Sequence, residues 1–446
     1  MSQVSPVSRS TAPPPAAADD RKHMRRVLLS SYLGSAVEFY DFLVYGTAAS
    51  LVFGQIFFAD LDPVVGTIAS FGTLAVGYVA RPIGGIVFGH FGDRLGRKKM
   101  LVLTMSLMGV ASTLIGLLPT QAQIGVLAPL LLVLLRIIQG IAVGGEWGGA
   151  TLMALEHSDM RKRGFAAAIV NSGAPTGAVL AATVMGLFSL LPEDDFISWG
   201  WRVPFLLSAV LVAISLWIRL SISESPMFKH AQDATDLEGA KPSTLPLIAV
   251  LRRPQVVILA SLSGAGALAF QSLMATFGLT YATLGGIDRS SALFAASVGA
   301  VINVFTIPLS GALSDRIGRR PVLLAGFGTG IVLVYPILQM VGSGNLVLLM
   351  LGYVLGYGCI VGTLFGTLSS FISEQFSTTS RYTGASLGYQ LAGTFGGFTP
   401  MIAVALLDAT GGTSATYVAA FVAAAFAVSA TAVMLTRESF RKDIAA

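Results

Sequence analysis

The sequence predicts an all-α membrane protein with twelve transmembrane helices in two pseudo-symmetric six-helix bundles. Hydrophobic residues make up 54% of the 446 residues and charged residues only 11%, whereas soluble domains average about 25% charged residues. Long apolar runs alternate with short turns along the chain. One basic turn occurs twice, half a chain apart, which indicates that two similar membrane halves are joined.

The repeated turn, Gly-x-x-x-Asp-Arg-x-Gly-Arg, lies at residues 89–97 and 311–319, and its two copies are 222 residues apart. We expect each aspartate to accept hydrogen bonds from backbone donors at a neighbouring helix end, and the arginines to clamp carboxylates. Such contacts would stabilise one arrangement of the two halves. Alternatively, the basic residues only follow the excess of Lys and Arg in cytoplasmic loops. The candidate gating residues are Gly89, Asp93, Arg94, Gly96, Arg97, Asp315, Arg316 and Arg319.

Twelve runs have about the 20 apolar residues needed to cross a bilayer. The predicted spans are 27–57, 64–90, 100–118, 124–150, 164–191, 202–221, 254–284, 290–313, 321–341, 345–372, 383–407 and 413–436. They group into a first bundle at 27–221 and a second at 254–436, joined by a cytoplasmic linker at 222–253. Residues 1–26 predict a disordered cytoplasmic tail, and residues 437–446 a second cytoplasmic tail.

The distribution of Lys and Arg predicts the orientation. With both termini in the cytoplasm, only Arg289 and, at the edge of a span, Arg202 lie on the outer side. We therefore expect a multi-pass protein of a bacterial inner or plasma membrane, acting as a monomer. The net charge of +5 does not indicate nucleic-acid binding, because the basic residues lie in turns between spans.

The first span contains two carboxylates within an apolar run. Glu38 and Asp41 are three residues apart and Tyr45 follows at four, so we expect all three on one helix face. A carboxylate inside a membrane costs several kcal/mol unless it faces water, pairs with a cation or takes up a proton. We therefore predict proton coupling at this pair, with a static ion pair as the alternative.

Arg136 lies in the fourth span, and the equivalent position of the second half, 218 residues on, is Val354. The shared scaffold therefore does not require this charge. We expect Arg136 to pair with Asp41 or Glu38, or to bind a substrate carboxylate through two hydrogen bonds. A helix-packing arginine is the alternative. Arg81 is either a site residue or one that extends to the membrane surface, and the role of His90 is open.

Other intramembrane polar residues are candidates for a substrate cavity, although such side chains also serve helix–helix hydrogen bonds. They are Tyr45, Gln139, Asn171, Gln271, Asn303, Tyr389 and Gln390. No Ser/His, Cys/His or metal-ligand constellation occurs in the sequence, so we predict neither an enzyme nor a cofactor other than the transported proton.

The doubled turn resembles the signature of the major facilitator superfamily. Four further segments resemble its metabolite:proton symporter branch: GSAVEFYDF at 34–42, RPIGG at 81–85, RIIQGIAVGGE at 136–146 and WGWRVPF at 199–205. The resemblance implies uptake of a small polar metabolite with protons by alternating access. The branch includes carriers of organic acids, such as shikimate and di- or tricarboxylates, and of proline and betaine. It also favours Asp41 over Glu38, because similar members pair a first-span acid with a fourth-span arginine.

Two alternatives remain besides a zwitterion symporter. Superfamily exporters typically carry a Gly-Pro-x-x-Gly-Gly run in the fifth span, and this chain has GAPTGA at 173–178 without that spacing. A membrane sensor that kept the fold without transport would have the same spans. We therefore predict a symporter, with a proton-coupled exporter as the alternative.

Overall fold

The computed structural model describes the backbone of residues 16–95, 97–144, 162–220, 250, 252, 254–376, 381–412 and 414–438. Within these ranges it describes the side chains of 31–88, 100, 102–144, 162–217, 250, 252, 254–376, 383–412 and 414–438. The described chain is helical throughout its regular structure, with no strand among these residues.

Twelve helical segments follow one another. The first bundle contains α1 (Ala16–Leu51), α2 (Pro63–Leu95), α3 (Arg97–Leu117), α4 (Leu127–Gly144), α5 (Arg163–Phe188) and α6 (Arg202–Leu220). The second contains α7 (Pro254–Leu284), α8 (Arg289–Ile317), α9 (Arg319–Val341), α10 (Leu346–Ser373), α11 (Arg381–Asp408) and α12 (Thr416–Leu435). Ten described helices are long and apolar enough to cross a membrane, and α3 contributes the shorter apolar stretch Val102–Leu117.

The amino-terminal prediction needs correction. Helix α1 begins at Ala16, so residues 16–26 are helical and the prediction of disorder is wrong for them. Three alanines open this segment, and adding residues to an existing helix costs much less than starting a new one. Residues 1–15 lie outside the described residues, as do 221–249 of the predicted linker and 439–446 of the second tail.

Glycines bring α2 and α4 into close contact. A Cβ atom at Gly140 would overlap the carbonyl oxygen of Gly77, and a Cβ at Gly77 would lie 3.0 Å from Cγ and Cδ of Arg136. Real Cβ atoms do not approach other atoms so closely, so both positions need glycine. This crossing gives the Arg136 side chain its space beside α2, the helix that carries Arg81.

Large apolar side chains cover the outside of the bundle. Leu130 and Leu134 on α4, and Trp217 on α6, are among those exposed there. A water-soluble protein rarely exposes so much contiguous apolar surface, whereas a lipid-facing surface is made of it. The buried polar side chains lie inside, where α1, α2 and α4 meet α7, α10 and α11.

Candidate functional site

Two buried arginines lie on either side of one aromatic ring. The Cζ atom of Arg81 is 4.1 Å from the ring centre of Phe42, and the Cζ of Arg136 is 4.2 Å from the same centre. Two guanidinium groups cannot share one face at this distance, so Phe42 separates them. Each arginine also lies over a tyrosine: Arg81 is 4.4 Å from the ring centre of Tyr78, and Arg136 is 4.1 Å from that of Tyr45.

Neither arginine has a carboxylate partner among the described residues. Arg136 is 0% exposed and Arg81 6% exposed. The Nε atoms of both, and Nη2 of Arg136, are buried without a hydrogen-bond acceptor from the described part of the chain. Aromatic faces stabilise a cation by about 0.5–2 kcal/mol, which is less than a buried guanidinium loses on leaving water. The pair is therefore suited to receive an anion.

The predicted ion pair between Arg136 and Asp41 does not form in this structure, since no such contact within 4 Å occurs among the described residues. Arg136 Nη1 instead donates to Gln139 Oε1 at 3.1 Å, and Gln139 Nε2 donates to Ser112 Oγ at 2.7 Å. Asp41, 1% exposed, faces the hydroxyl groups of Ser112 and Ser208. The arginine and the acid are thus connected only through Gln139 and Ser112.

Glu38 lies in different surroundings from Asp41. The groups that interact electrostatically with the Tyr389 hydroxyl are Arg81, Tyr78 and Glu38, which places Glu38 towards α2 and α11. Asp41 points towards α3 and α6. The two acids were expected to share one face, but α1 is enclosed on several sides, so residues three apart contact different helices.

The second half contributes polar atoms without hydrogen-bond partners among the described residues. Both amide atoms of Gln390, Oδ1 of Asn303 and the hydroxyl of Tyr353 are buried in this condition. Gln390 lies one turn before Thr394, whose hydroxyl contacts the Tyr78 carbonyl oxygen at 3.1 Å, so α11 packs against the arginine-bearing α2. Gln271 faces the Tyr357 hydroxyl. Unpartnered polar atoms are rare in folded proteins and typical of sites that bind a ligand.

Two predicted cavity residues have structural partners. Asn171 donates to Ser369 Oγ at 2.7 Å and so joins α5 of the first half to α10 of the second. The Tyr45 hydroxyl donates to Thr73 Oγ1 at 2.5 Å while its ring contacts Arg136. Asn171 therefore holds the halves together, and Tyr45 supports Arg136.

The second copy of the repeated turn bridges the halves. Asp315 accepts hydrogen bonds from the backbone N–H groups of Gly164 and Phe165, both at 2.9 Å, at the start of α5. Arg319 Nη1 lies 2.7 Å from Asp315 Oδ1, and its Nη2 lies 3.2 Å from Glu374 Oε1. Arg316 is exposed. The side chains of the first copy, including Gly89, Asp93, Arg94 and Arg97, lie outside the described residues, as do Gly96 and His90.

The opposite face is bridged as well. Arg289 Nη2 lies 2.8 Å from Glu193 Oε1, and the Thr280 hydroxyl donates to the Ser50 carbonyl oxygen at 3.2 Å. Both contacts join the first half to the second. The arginine pair therefore lies between two closed faces, in an occluded arrangement.

Replacing Asp315 with alanine is expected to open the face that carries the repeated turn, because it removes two charge-assisted hydrogen bonds worth about 1.5–3 kcal/mol each. Spin labels at Lys162 and Arg316, both exposed, in a Cys359→Ser background would report a longer distance population by electron–electron resonance. As a control, Arg289→Ala breaks the bridge on the opposite face and should not lengthen this distance. An unchanged distribution in Asp315→Ala would contradict a gating role for the turn.

Sequence analysis missed four residues of this region: Phe42, Tyr78, Ser112 and Ser208. Aromatic and hydroxyl residues are common in spans, and nothing in the sequence distinguishes these from packing residues. Tyr78 does precede Arg81 by three residues, a spacing that places it on the same helix face. No group of three or more His, Cys, Asp or Glu side chains able to hold a metal occurs within the described ranges.

A two-bundle helical membrane protein with a charged, occluded centre is a multi-pass transporter of small molecules. The family model of the Major Facilitator Superfamily matches residues 31–398, and the chain belongs to this superfamily. The predictions of fold and family are thereby confirmed.

Characterised relatives are similar over nearly the whole chain. The Shikimate transporter of Escherichia coli (strain K12) is 38% identical over 421 residues, covering 94% of this chain and 95% of that protein. The Inner membrane metabolite transport protein YhjE of the same strain is 38% identical over 429 residues, with the same coverage. The Proline/betaine transporter of Salmonella typhimurium (strain LT2) is 33% identical, covering 88% of this chain and 79% of that protein. The relatives are transporters, not enzymes.

Among solved structures, a D-xylose-proton symporter matches with a TM-score of 0.73. The match covers 94% of this chain and 99% of that one at 18% sequence identity. At this identity the similarity concerns the fold alone.

Proposed function

We propose that this protein takes up a small organic anion together with protons, by alternating access. The observation that carries the proposal is the pair of buried guanidinium groups, Arg81 and Arg136, that face Phe42 and lack a carboxylate partner among the described residues. A guanidinium group matches the geometry of a carboxylate and binds it through two parallel hydrogen bonds. A bound organic acid would supply the missing negative charge.

The polar atoms of the second half would complete the site. Gln390, Asn303 and Tyr353 offer both donors and acceptors without partners among the described residues. Hydroxyl groups of a polyhydroxylated acid need such mixed donors and acceptors. The similarity to a protein named as a shikimate transporter supports this substrate class.

Asp41 is the proposed proton carrier. Its two carboxyl oxygens are buried without a hydrogen-bond partner in the described part of the chain, and an unpaired carboxylate inside a membrane is stabilised by taking up a proton. The proton is then the coupling ion, and we propose no further cofactor. We also propose a monomer in a bacterial inner membrane with both termini in the cytoplasm, as the distribution of Lys and Arg favours.

A zwitterion such as proline or betaine is the second candidate, supported by the proline/betaine relatives. A quaternary ammonium group is typically bound on aromatic faces. Here the arginines already cover the rings of Phe42, Tyr45 and Tyr78. The site therefore favours the anion.

A reconstitution experiment tests the proposal. Proteoliposomes with an internal pH dye would be exposed in turn to shikimate, 2-oxoglutarate, citrate, proline and betaine. Symport of an acid predicts acidification of the lumen with at least one of the three acids, beyond that of protein-free vesicles. Alkalinisation would indicate proton exchange, as in an exporter, and a response to betaine or proline alone would contradict the anion assignment.

A further inference from the structure

A chain of polar groups connects the arginine pair with the buried acid. Arg136 Nη1 donates to Gln139 Oε1 at 3.1 Å, and Gln139 Nε2 donates to Ser112 Oγ at 2.7 Å. The Ser112 hydroxyl faces Asp41. Gln139 is 2% exposed, so water does not compete for either end of its amide.

The direction of every hydrogen bond in this chain is fixed. A guanidinium group has only donors, so the amide oxygen of Gln139 must face Arg136. The amide NH₂ then faces Ser112, whose oxygen accepts from it. The hydroxyl proton of Ser112 is left to point at Asp41, where it stabilises a negative charge.

We propose that Gln139 is the residue that couples the anion site to the proton site. While Arg136 holds the Gln139 amide, Ser112 presents its proton to Asp41 and favours the ionised carboxylate. An anion that draws Arg136 towards itself releases Gln139. Asp41 loses its oriented donor, and proton uptake from the medium becomes more favourable.

This inference rests on the proposed function, because it needs an anionic substrate at Arg136. It gives Gln139 a positioning role, whereas the sequence suggested a substrate contact. By linkage, a ligand that promotes protonation is itself bound more tightly by the protonated protein. Anion and proton would therefore bind together, which is the requirement for symport.

Other groups around Asp41 are accounted for. The hydroxyl of Ser208 on α6 also faces it. The charged or titratable residues of the described helices around it are Glu38, Tyr40 and Tyr45 on α1, Tyr78 and Arg81 on α2, and Arg136 on α4. Of these, Tyr40 interacts electrostatically with Asp41. Its hydroxyl donates to the Pro204 carbonyl oxygen at 2.8 Å, so it is not available as a donor to the carboxylate.

Infrared titration of the full-length protein tests the coupling without a substrate. The carboxyl C=O band that disappears in Asp41→Asn belongs to Asp41, and its midpoint is followed from about pH 4 to pH 9. In Gln139→Leu the midpoint is expected to rise by about one pH unit, because the oriented donor is lost. Ser112→Ala should raise it similarly, and the double variant should add little more.

Arg136→Ala imitates withdrawal of the arginine. It should raise the midpoint when Gln139 is present and have little further effect in Gln139→Leu. A purely long-range charge effect would persist in both backgrounds. Gln390→Leu, which removes an equally buried glutamine of the second half, should leave the midpoint unchanged.

Three outcomes would overturn the proposal. They are an unchanged midpoint in both Gln139→Leu and Ser112→Ala, an Asp41 band that never titrates, and an equal shift by Arg136→Ala in both backgrounds. Addition of shikimate at the midpoint provides a second readout: proton uptake is expected in the wild type and not in Gln139→Leu. If the liposome screen fails but the titration behaves as expected, the transport assignment is wrong while the link between the residues stands.

Discussion

Replacing Asp41 with asparagine is expected to abolish proton-driven accumulation of the substrate while sparing exchange. Asparagine has nearly the same shape but cannot bind and release a proton. A gradient of one pH unit supports about a tenfold accumulation when one proton enters with each substrate molecule. In the variant the internal concentration should only equilibrate with the external one. Uptake of radiolabelled substrate into proteoliposomes, with and without an imposed pH gradient, measures this difference.

Counterflow provides the internal control. Vesicles loaded with unlabelled substrate should still exchange it for external label in Asp41→Asn, because exchange needs no net proton movement. Glu38→Gln is the matched variant, since it neutralises the neighbouring acid on the same helix, and it should keep accumulation driven by the gradient. If Asp41→Asn accumulates substrate normally and Glu38→Gln does not, the coupling role belongs to Glu38.

Replacing Arg136 with alanine is expected to weaken substrate binding by about a hundredfold or more. Loss of one partner of a buried charge pair costs about 3–5 kcal/mol, and every 1.4 kcal/mol changes affinity about tenfold. The variant also removes the ring contacts with Phe42 and Tyr45. Binding to the detergent-solubilised protein, measured by calorimetry with the acid that the screen identifies, tests the expectation.

Arg136→Lys separates charge from geometry. A lysine keeps the positive charge but cannot form two parallel hydrogen bonds to one carboxylate, so we expect an affinity between those of the wild type and Arg136→Ala. Arg202→Ala is the control, because Arg202 caps the Gly116 and Leu118 carbonyl oxygens far from the centre. Wild-type affinity in Arg136→Ala would show that Arg136 only packs against its aromatic neighbours.

The charged residues show how far the sequence could go towards the site. The rarity of charges inside spans was enough to select Glu38, Asp41 and Arg136, since hydropathy depends only on the residues themselves. Their partners were not predictable. Arg136 contacts Phe42 and Gln139, because the rotation of α4 is set by its glycine contact with α2 and not by its own apolar pattern.

The repeated turn gives a second comparison. Its spacing predicted two equivalent copies and an aspartate near a helix end. Which helix Asp315 contacts was not encoded locally, because Gly164 and Phe165 lie about 150 residues away in the other half. Such contacts depend on how the two bundles dock.

By itself the sequence determined the membrane class, the twofold repeat, the superfamily and the small set of buried charges. Each follows from hydropathy, spacing or motif, which are properties of the chain in order. Only the tertiary structure decided that Arg81 and Arg136 face one another across Phe42, and that Asp41 meets Arg136 only through Gln139 and Ser112. The physical reason is that a buried helix contacts several neighbours at once, so the packing of distant segments sets each polar partner.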